Sequence, residues 1–329
     1  MKRNKLLLIS LFVLSGFLTS VSAADFEVKI GNAIHNKKLP SASGMTAWKN
    51  KYFVVGDDSP YLYTVDKNFT ISGKFLLKDF PVEKNGRIKK NIKPDYEAMS
   101  LLNWQGKTWN MIIGSGSKAD VRETAYLLAM DESHKKIEQD LSQLYREFVA
   151  KANFTDNQTL NIEALAVTGD KVYFFNRGNP GRNIIFQTDL KDVMAYMTGK
   201  EKSLSNIKKH EVLLPEIDGV KSGFSGAELW PQLNSLVYTA SVENSDSAYA
   251  DGKILGSFIG LIPLASLQNE QVIDLRSSAQ LITKQGKAVL TKVESLSFLK
   301  TDQNRATGAL VSDNDDGSSV FFNVTLIKK

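Results

Sequence analysis

The chain has 329 residues, with 41 Lys+Arg against 36 Asp+Glu, 42% hydrophobic residues, three histidines and no cysteine. This composition excludes a disordered or fibrous chain. It also excludes a disulfide framework, a thiolate metal site and a cysteine nucleophile, and His35, His134 and His210 are too few for a His-rich zinc or copper centre.

Residues 1–23 read as a secretory signal peptide. Lys2, Arg3 and Lys5 form a positive head, Leu6 to Leu18 an apolar run, and Val21-Ser22-Ala23 a small-residue cleavage site. The run is shorter than the about 20 apolar residues of a spanning helix, and no cysteine follows it to carry a lipid. Cleavage near Ala23 places the mature chain, residues 24–329, in the periplasm or outside the cell as a single domain. It also removes three of the positive charges, so the net falls from +5 to +2. The basic surface that would argue for nucleic acid is thereby lost. No later stretch reaches the length of a membrane span, and a monomer is expected.

The mature chain is repetitive. Five short openings each start a strand: Ser43-Gly44-Met45, Glu97-Ala98-Met99, Glu163-Ala164-Leu165, Ser225-Gly226-Ala227 and Glu294-Ser295-Leu296. Each is followed by a turn and a second apolar strand ending in a Gly/Ser/Asp/Asn-rich loop. These ends are Val55–Asp58, Ile113–Ser117, Phe175–Asn179, Ala240–Asn244 and Val311–Asp316. Third strands follow at Tyr61–Val65, Ala125–Met130, Ile184–Thr188, Ile259–Pro263 and Val320–Val324, with the apolar and aromatic content of strands. The openings are 54, 66, 62 and 69 residues apart, longer than common propeller repeats. Fourth, outer strands are expected at Gly73–Leu77, Glu211–Leu214 and Gln271–Leu275. The last repeat runs out of chain after Thr325–Ile327, and Asp25–Ile30 can complete it.

An all-β propeller of five four-stranded blades, closed by the N-terminal strand, is the economical solution, because it leaves only short, protected edges. A β-sandwich or two small β domains is the alternative, and six blades are open if Asp79–Pro94 or Ser278–Thr291 hides strands. Two segments break the pattern. Glu132–Ala152 carries Ile137, Leu141, Leu144, Tyr145 and Phe148 at helical spacing, and Asp189–Met197 reads as a shorter helix with Asp189 as N-cap. Both are expected between third and fourth strands, covering an edge or rim. Lys84–Lys93, with Arg87, Lys89, Lys90 and Lys93, reads as a solvated basic loop, with an anionic ligand as the less ordinary role.

In a propeller, the start of strand one and the end of strand two lie on one face of the disc. The openings then bring Glu97, Glu163 and Glu294 to one channel mouth, with Ser43 and Ser225 at the equivalent places. The loops bring Asp57, Asp58, Glu243, Asp313, Asp315 and Asp316. Clustered carboxylates need something positive among them, and hard oxygen ligands suit Ca²⁺ or Mg²⁺. The same residues are also ordinary turn formers, and a glutamate at a strand start can serve the backbone of the next blade. Arg177, with Lys118, Arg122 and Arg182 in adjoining loops, offers forks for a small anion, or salt bridges to neighbouring carboxylates. Glu228 falls one step out of phase and stays outside this ring.

Motif absences narrow the chemistry. Gly223-Phe224-Ser225-Gly226-Ala227 fails the nucleophile elbow at its last position, and no H-E-x-x-H or P-loop occurs. Asp313-Asn314-Asp315-Asp316-Gly317 would put Val324 where an EF-hand needs Glu. None of the histidines lies at the proposed mouth.

At these openings and loops, together with Asp251–Ser257 and Arg122, the chain resembles the phytase-like β-propeller proteins of bacteria, the group labelled esterase-like activity of phytase, in an exported branch. The resemblance spans the mature chain. It implies a propeller, and a calcium-assisted phosphoester chemistry whose ligand set is not matched here position by position. The expectation is therefore an exported propeller that binds a small anionic ligand at the mouth, with Ca²⁺ as candidate cofactor. A metal-dependent phosphoric ester hydrolase, or a binder of a protein or glycan, are the alternatives. Metal ligands are sought among Asp57, Asp58, Glu97, Glu163, Glu243, Glu294, Asp313 and Asp315, and anion contacts among Arg122, Arg177 and Arg182.

Overall fold

In a computed structural model, the described residues are 19–20, 26–133, 135–155, 158–178, 181–244, 252–313 and 317–329. The signal-peptide segment lies largely outside them, as do His134, Asp315 and Asp316.

Near-continuous apolar runs, as in Ile162–Val167 and Thr124–Ala129, build each repeat into an antiparallel sheet whose inner strands are buried on both faces. Blade 1 runs Ala42–Trp48, Lys51–Gly56, Tyr61–Val65 and Ile71–Leu76. Blade 2 runs Tyr96–Trp104, Lys107–Gly114, Thr124–Ala129 and Lys136–Asp140. Blade 3 runs Ile162–Val167, Lys171–Asn176, Asn183–Asp189 and Lys208–Leu213. Blade 4 comprises Val220–Trp230, Ser235–Asn244, Lys253–Pro263 and the two-residue edge Gln280–Leu281. Blade 5 comprises Lys292–Thr301, Arg305–Asp313 and Ser319–Lys328. The chain is thus a five-bladed β-propeller, and the inner strands pack on one another around a closed ring from blade 1 to blade 5 and back.

The ring closes as expected. Phe26–Ile30 supplies the outer strand of blade 5, antiparallel to Ser319–Lys328, with Phe26 opposite Lys328 and Ile30 opposite Val324. Hydroxyls stitch the seam between blades 5 and 1: the Ala42 amide donates to Ser319 Oγ at 3.0 Å and the Met45 amide to Ser295 Oγ at 3.2 Å. No sixth blade exists among the described residues. Asp79–Pro94 forms one bridge, Val82 with Ile88, and Ser278–Thr291 forms the short edge of blade 4 and a minimal hairpin.

Two expectations are corrected. Glu132–Ala152 is not one helix: Lys136–Asp140 is the outer strand of blade 2, and helix α1 is Ser142–Ala152. Ile137 and Leu141 mimic a helical step, but residues 136–140 alternate between exposed and half-buried, as an edge strand does. Helix α1 therefore follows the outer strand and fills the space between blades 2 and 3. There Phe148 stacks on Phe186 with ring centroids 4.4 Å apart. Helix α2, Leu190–Met197, does lie between the third and outer strands of blade 3; Asp189 stands at its N-cap position, but its carboxylate pairs with Lys171 and caps nothing.

The second correction concerns Gln271–Leu275. Val272–Asp274 pairs parallel to Lys208–Leu213 of blade 3, where Thr19–Ser20 pairs with it in turn, and it is not the edge of blade 4. Ile273 and Leu275 are fully buried between blades 3 and 4, so burial on the neighbouring blade decides the pairing. No helix among the described residues is long and apolar enough to cross a membrane.

Candidate functional site

One backbone device repeats in all five blades. Each inner strand carries a register shift near its start, between Ala42 and Gly44, Tyr96 and Ala98, Ile162 and Ala164, Phe224 and Gly226, and Val293 and Ser295. The extra residue is Ser43, Glu97, Glu163, Ser225 or Glu294, the first residue of each opening read from the sequence. A bulge leaves its extra residue out of the ladder and re-aims its side chain. In blades 2, 3 and 5 this gathers three glutamates close enough for Glu163 and Glu294 to help raise the pKa of Glu97, and Glu294 that of Glu163. In blades 1 and 4 the serines turn to their own surroundings, Ser43 Oγ donating to Ser41 O at 3.1 Å and Ser225 Oγ to Thr239 Oγ1 at 3.0 Å.

Around the glutamates stand two ionic clusters. On the blade 1–2 side, the Lys93 ammonium bonds to Asp57 and lies 2.8 Å from Asp95 Oδ1. Arg122 donates to Asp95 Oδ2 at 2.7 Å, Ser115 and Ser117 donate to the same oxygen, and Arg87 pairs with Asp58. On the other side, Arg177 lies 3.1 Å from Glu243 and 3.6 Å from Glu163. Lys292 is 2.9 Å from Glu294 and 3.9 Å from Glu243. Asn161 donates to Glu163 Oε1 at 2.6 Å, and the Gly252 amide to Glu243 Oε1 at 2.8 Å. Seven carboxylates (Asp57, Asp58, Asp95, Glu97, Glu163, Glu243, Glu294) thus face five cations (Arg87, Lys93, Arg122, Arg177, Lys292), a formal balance of −2.

Glu97 sits between the clusters and forms no hydrogen bond or ion pair with any described residue. Desolvation first, then Glu163, Asp95, Asp57 and Glu294, pushes its carboxyl well above the usual range. Burial also lifts Glu163 to about 7, against the opposing pull of Arg177. Burial and Asp57 lift Asp58 to about 6 in spite of Arg87. Asp95 goes the other way: Lys93 and Arg122 outweigh its burial and hold it low. Lys93 and Lys292 are likewise held protonated by the acids around them, although burial disfavours their charge. Asp57, Asp95 and Glu97 each offer an oxygen within 4.8 Å of the others, a group that could hold a metal ion.

Of the expected residues, Asp57, Asp58, Glu97, Glu163, Glu243 and Glu294 come together with Arg122 and Arg177. Asp313 borders the same mouth, lining a cavity with Asp58 and Arg87. Arg182 is not brought there. It pairs with Glu211 on the outer strand of blade 3 and donates to the carbonyls of Ala152 at 2.6 Å and Asn153 at 3.2 Å, closing the C-terminus of α1. His35 lies on an exposed edge, and His210 is buried in blade 3 with Nε2 2.9 Å from Gln187 Oε1. The basic loop is only partly solvated, since Arg87 and Lys93 turn inward onto acids.

Sequence reasoning missed Asp95, Asn161 and Lys292, and it left Lys93 in a solvated loop. Asp95, Asn161 and Lys292 each stand two residues before a bulged glutamate, the first two just ahead of their inner strands and Lys292 at the start of its own. That spacing was the available signal.

Residues 38–326 match a family of unknown function, DUF6929. No protein of curated function matches the sequence. Among solved structures, the chain is similar to glutaminyl cyclase of Myxococcus xanthus, at 8% identity and TM-score 0.47, over 93% of this chain and 99% of that one. It is similar to an alpha-L-arabinanase mutant of Cellvibrio cellulosa, at 10% identity and TM-score 0.48, over 87% and 90%. A protein of unknown function from Dyadobacter fermentans shares 11% identity, TM-score 0.44, over 92% and 99%. None of these likenesses carries an inference about chemistry.

Proposed function

From a chain that belongs to the DUF6929 family, a family of unknown function, we propose a binding propeller, exported after cleavage near Ala23, whose channel mouth takes a divalent cation and, through it, a small anionic ligand. Asp57, Asp95 and Glu97 would hold the cation. The observation that carries this reading is Glu97, a desolvated carboxyl that forms no ion pair with any described residue, beside two other acids whose oxygens lie within 4.8 Å. A dense set of carboxylate oxygens suits a hard cation such as Ca²⁺. Buried acids of one sign repel until a positive charge enters, which is the thermodynamic reason for such an ion to stay. With the cation in place, Arg177 adds a second positive group toward an anion.

The test is a calcium titration followed by calorimetry and thermal melting, since a ligand of the native state alone raises the melting temperature. Calcium is expected to raise it, EDTA to reverse the rise, and Glu97→Gln to abolish it. A melting temperature indifferent to calcium and magnesium overturns the reading.

Phosphoester hydrolysis at the same mouth is the second reading, favoured by Glu163. Its pKa of about 7 suits a group that exchanges a proton at neutral pH. Turnover of a phosphomonoester that disappears in Glu163→Gln, with the melting temperature kept, would support it.

A further inference from the structure

The mouth already contains a cation. Lys93, at the end of the strap that joins blade 1 to blade 2, places its ammonium on Asp57 and 2.8 Å from Asp95 Oδ1. These are two of the three acids that form the candidate metal group. The strap is anchored: Ile88 is buried, its amide donates to Asp58 O at 2.7 Å, and the Asp95 amide donates to Asp57 O at 3.0 Å. Only 15% of the Lys93 side chain is exposed.

The filling is incomplete. Counted fully ionised, the three acids Asp57, Asp95 and Glu97 carry −3 and Arg122 and Lys93 return +2, so with Lys93 in place Glu97 is left to keep its proton. A divalent ion in place of Lys93, with Arg122 unchanged, brings the ionised sum to zero, so Glu97 gives up its proton as the ion enters. An ammonium donates three hydrogen bonds at most, and this one leaves Glu97 without a partner. Calcium takes about six to eight oxygens and could gather all three acids. Two buried oxygens around the group also lack partners, Asp57 Oδ1 and, on the nearly buried Glu294, Oε2.

A displaced ammonium has a place to go. Beside the strap lies a cavity of about 280 Å³, whose charged lining is the four acids Asp57, Asp58, Glu83 and Asp313 with Lys93 and the strap's Arg87, Lys89 and Lys90. Asp58 is 4% exposed, and its Oδ1 is buried without a hydrogen-bond partner.

We propose that Lys93 is an internal competitor for the mouth's cation site: it holds the Asp57 and Asp95 oxygens that a divalent ion would take, and binding moves its ammonium into the cavity beside Asp58. This rests on the divalent-ion reading of the mouth. Lys93 then sets the affinity of the site and couples its occupancy to the position of the strap.

The experiment is calcium titration by calorimetry of the wild type, Lys93→Met and Lys93→Arg, with the lysine Cε resonances of the wild type followed by NMR. Lys93→Met is expected to bind calcium at least tenfold more tightly than the wild type, and Lys93→Arg no more tightly. Calcium is also expected to shift one buried lysine resonance in the wild type, a readout that needs no variant to fold. Equal affinity in the wild type and Lys93→Met, with no resonance shifted, overturns the competition and leaves the divalent-ion reading standing. Binding by Lys93→Met alone supports the competition and removes the wild-type metal reading. Absence of binding in all three proteins overturns both.

Discussion

Glu228 offers a stringent test of how this fold treats buried charge. It lies on the inner strand of blade 4, where its Oε2 accepts from Ser297 Oγ of blade 5 at 2.9 Å and its Oε1 from the Leu229 amide at 3.2 Å. No described cation pairs with it, and burial raises its carboxyl from 4.5 to about 7. The folded state therefore holds its proton to higher pH than the unfolded chain, so stability contributed below about 4.5 is lost as pH rises through about 7. A shift of this size is worth about 3 kcal/mol at pH 8, at roughly 1.4 kcal/mol per unit. Glu228→Gln preserves shape and both bonds, because the Ser297 hydroxyl can turn to accept from an amide. It is expected to be more stable than the wild type by about 3 kcal/mol at pH 8, some 5 °C in melting temperature for a chain of this size, and by less than about 1 kcal/mol at pH 5. The other raised acids are common to both proteins and cancel in the difference. Urea unfolding at the two pH values measures it. A variant equal to or weaker than the wild type at pH 8 would refute the reasoning, since it would mean that Glu228 ionises in the fold without penalty.

Gly223 is the floor under Arg177: a Cβ there would stand 2.5 Å from Arg177 Cγ. Gly223→Ala is expected to cost about 1–3 kcal/mol by overpacking as Arg177 is pushed off Glu163 and Glu243; an unchanged urea midpoint would sink this. Arg182→Ala removes the closure of α1 and, at a site about one third exposed, should cost about 1 kcal/mol. Amide exchange should quicken in Ser142–Ala152, while calcium affinity at the mouth stays as it was. His210 is displaced downward, to about 4, because it is buried, so His210→Gln should remove stability loss that otherwise develops as pH falls from about 6.5 toward 4.

The fold was legible because each repeat advertises itself locally. A strand-opening triplet, a turn and a loop of Gly, Ser, Asp and Asn recur, and all five third strands lie where apolar and aromatic content puts them. What failed was decided by packing between blades. Val272–Asp274 has the composition of an edge strand for blade 4, yet it pairs with blade 3, where Ile273 and Leu275 are buried between the two blades. The site was half legible for a similar reason. Glu97, Glu163 and Glu294 were found because the repeat aligns them, whereas Asp95, Asn161 and Lys292 reach the mouth from two residues before each glutamate, a position the opening triplets do not include. Lys93 could not be placed from sequence at all, since a lysine in a polar loop looks the same whether its ammonium faces water or a buried acid. Arg182 shows the converse: its loop is right, but the nearby end of α1 and Glu211 claim it.

The asymmetry of the mouth follows from one position in five copies. Where the bulged residue is Ser, in blades 1 and 4, the hydroxyl is satisfied within its own blade, and that sector needs no counter-charge. Where it is Glu, a charge is forced into a partly desolvated space, and the fold must supply a cation or leave the acid protonated. Glu163 and Glu294 receive Arg177 and Lys292. Glu97 receives none, because Lys93 and Arg122 are held by Asp57 and Asp95. If the five positions served only to join blades, the hydroxyl of blades 1 and 4 would do so without a charge to neutralise. Three glutamates, one of them without a partner, are intelligible if the mouth takes up a positive charge from outside.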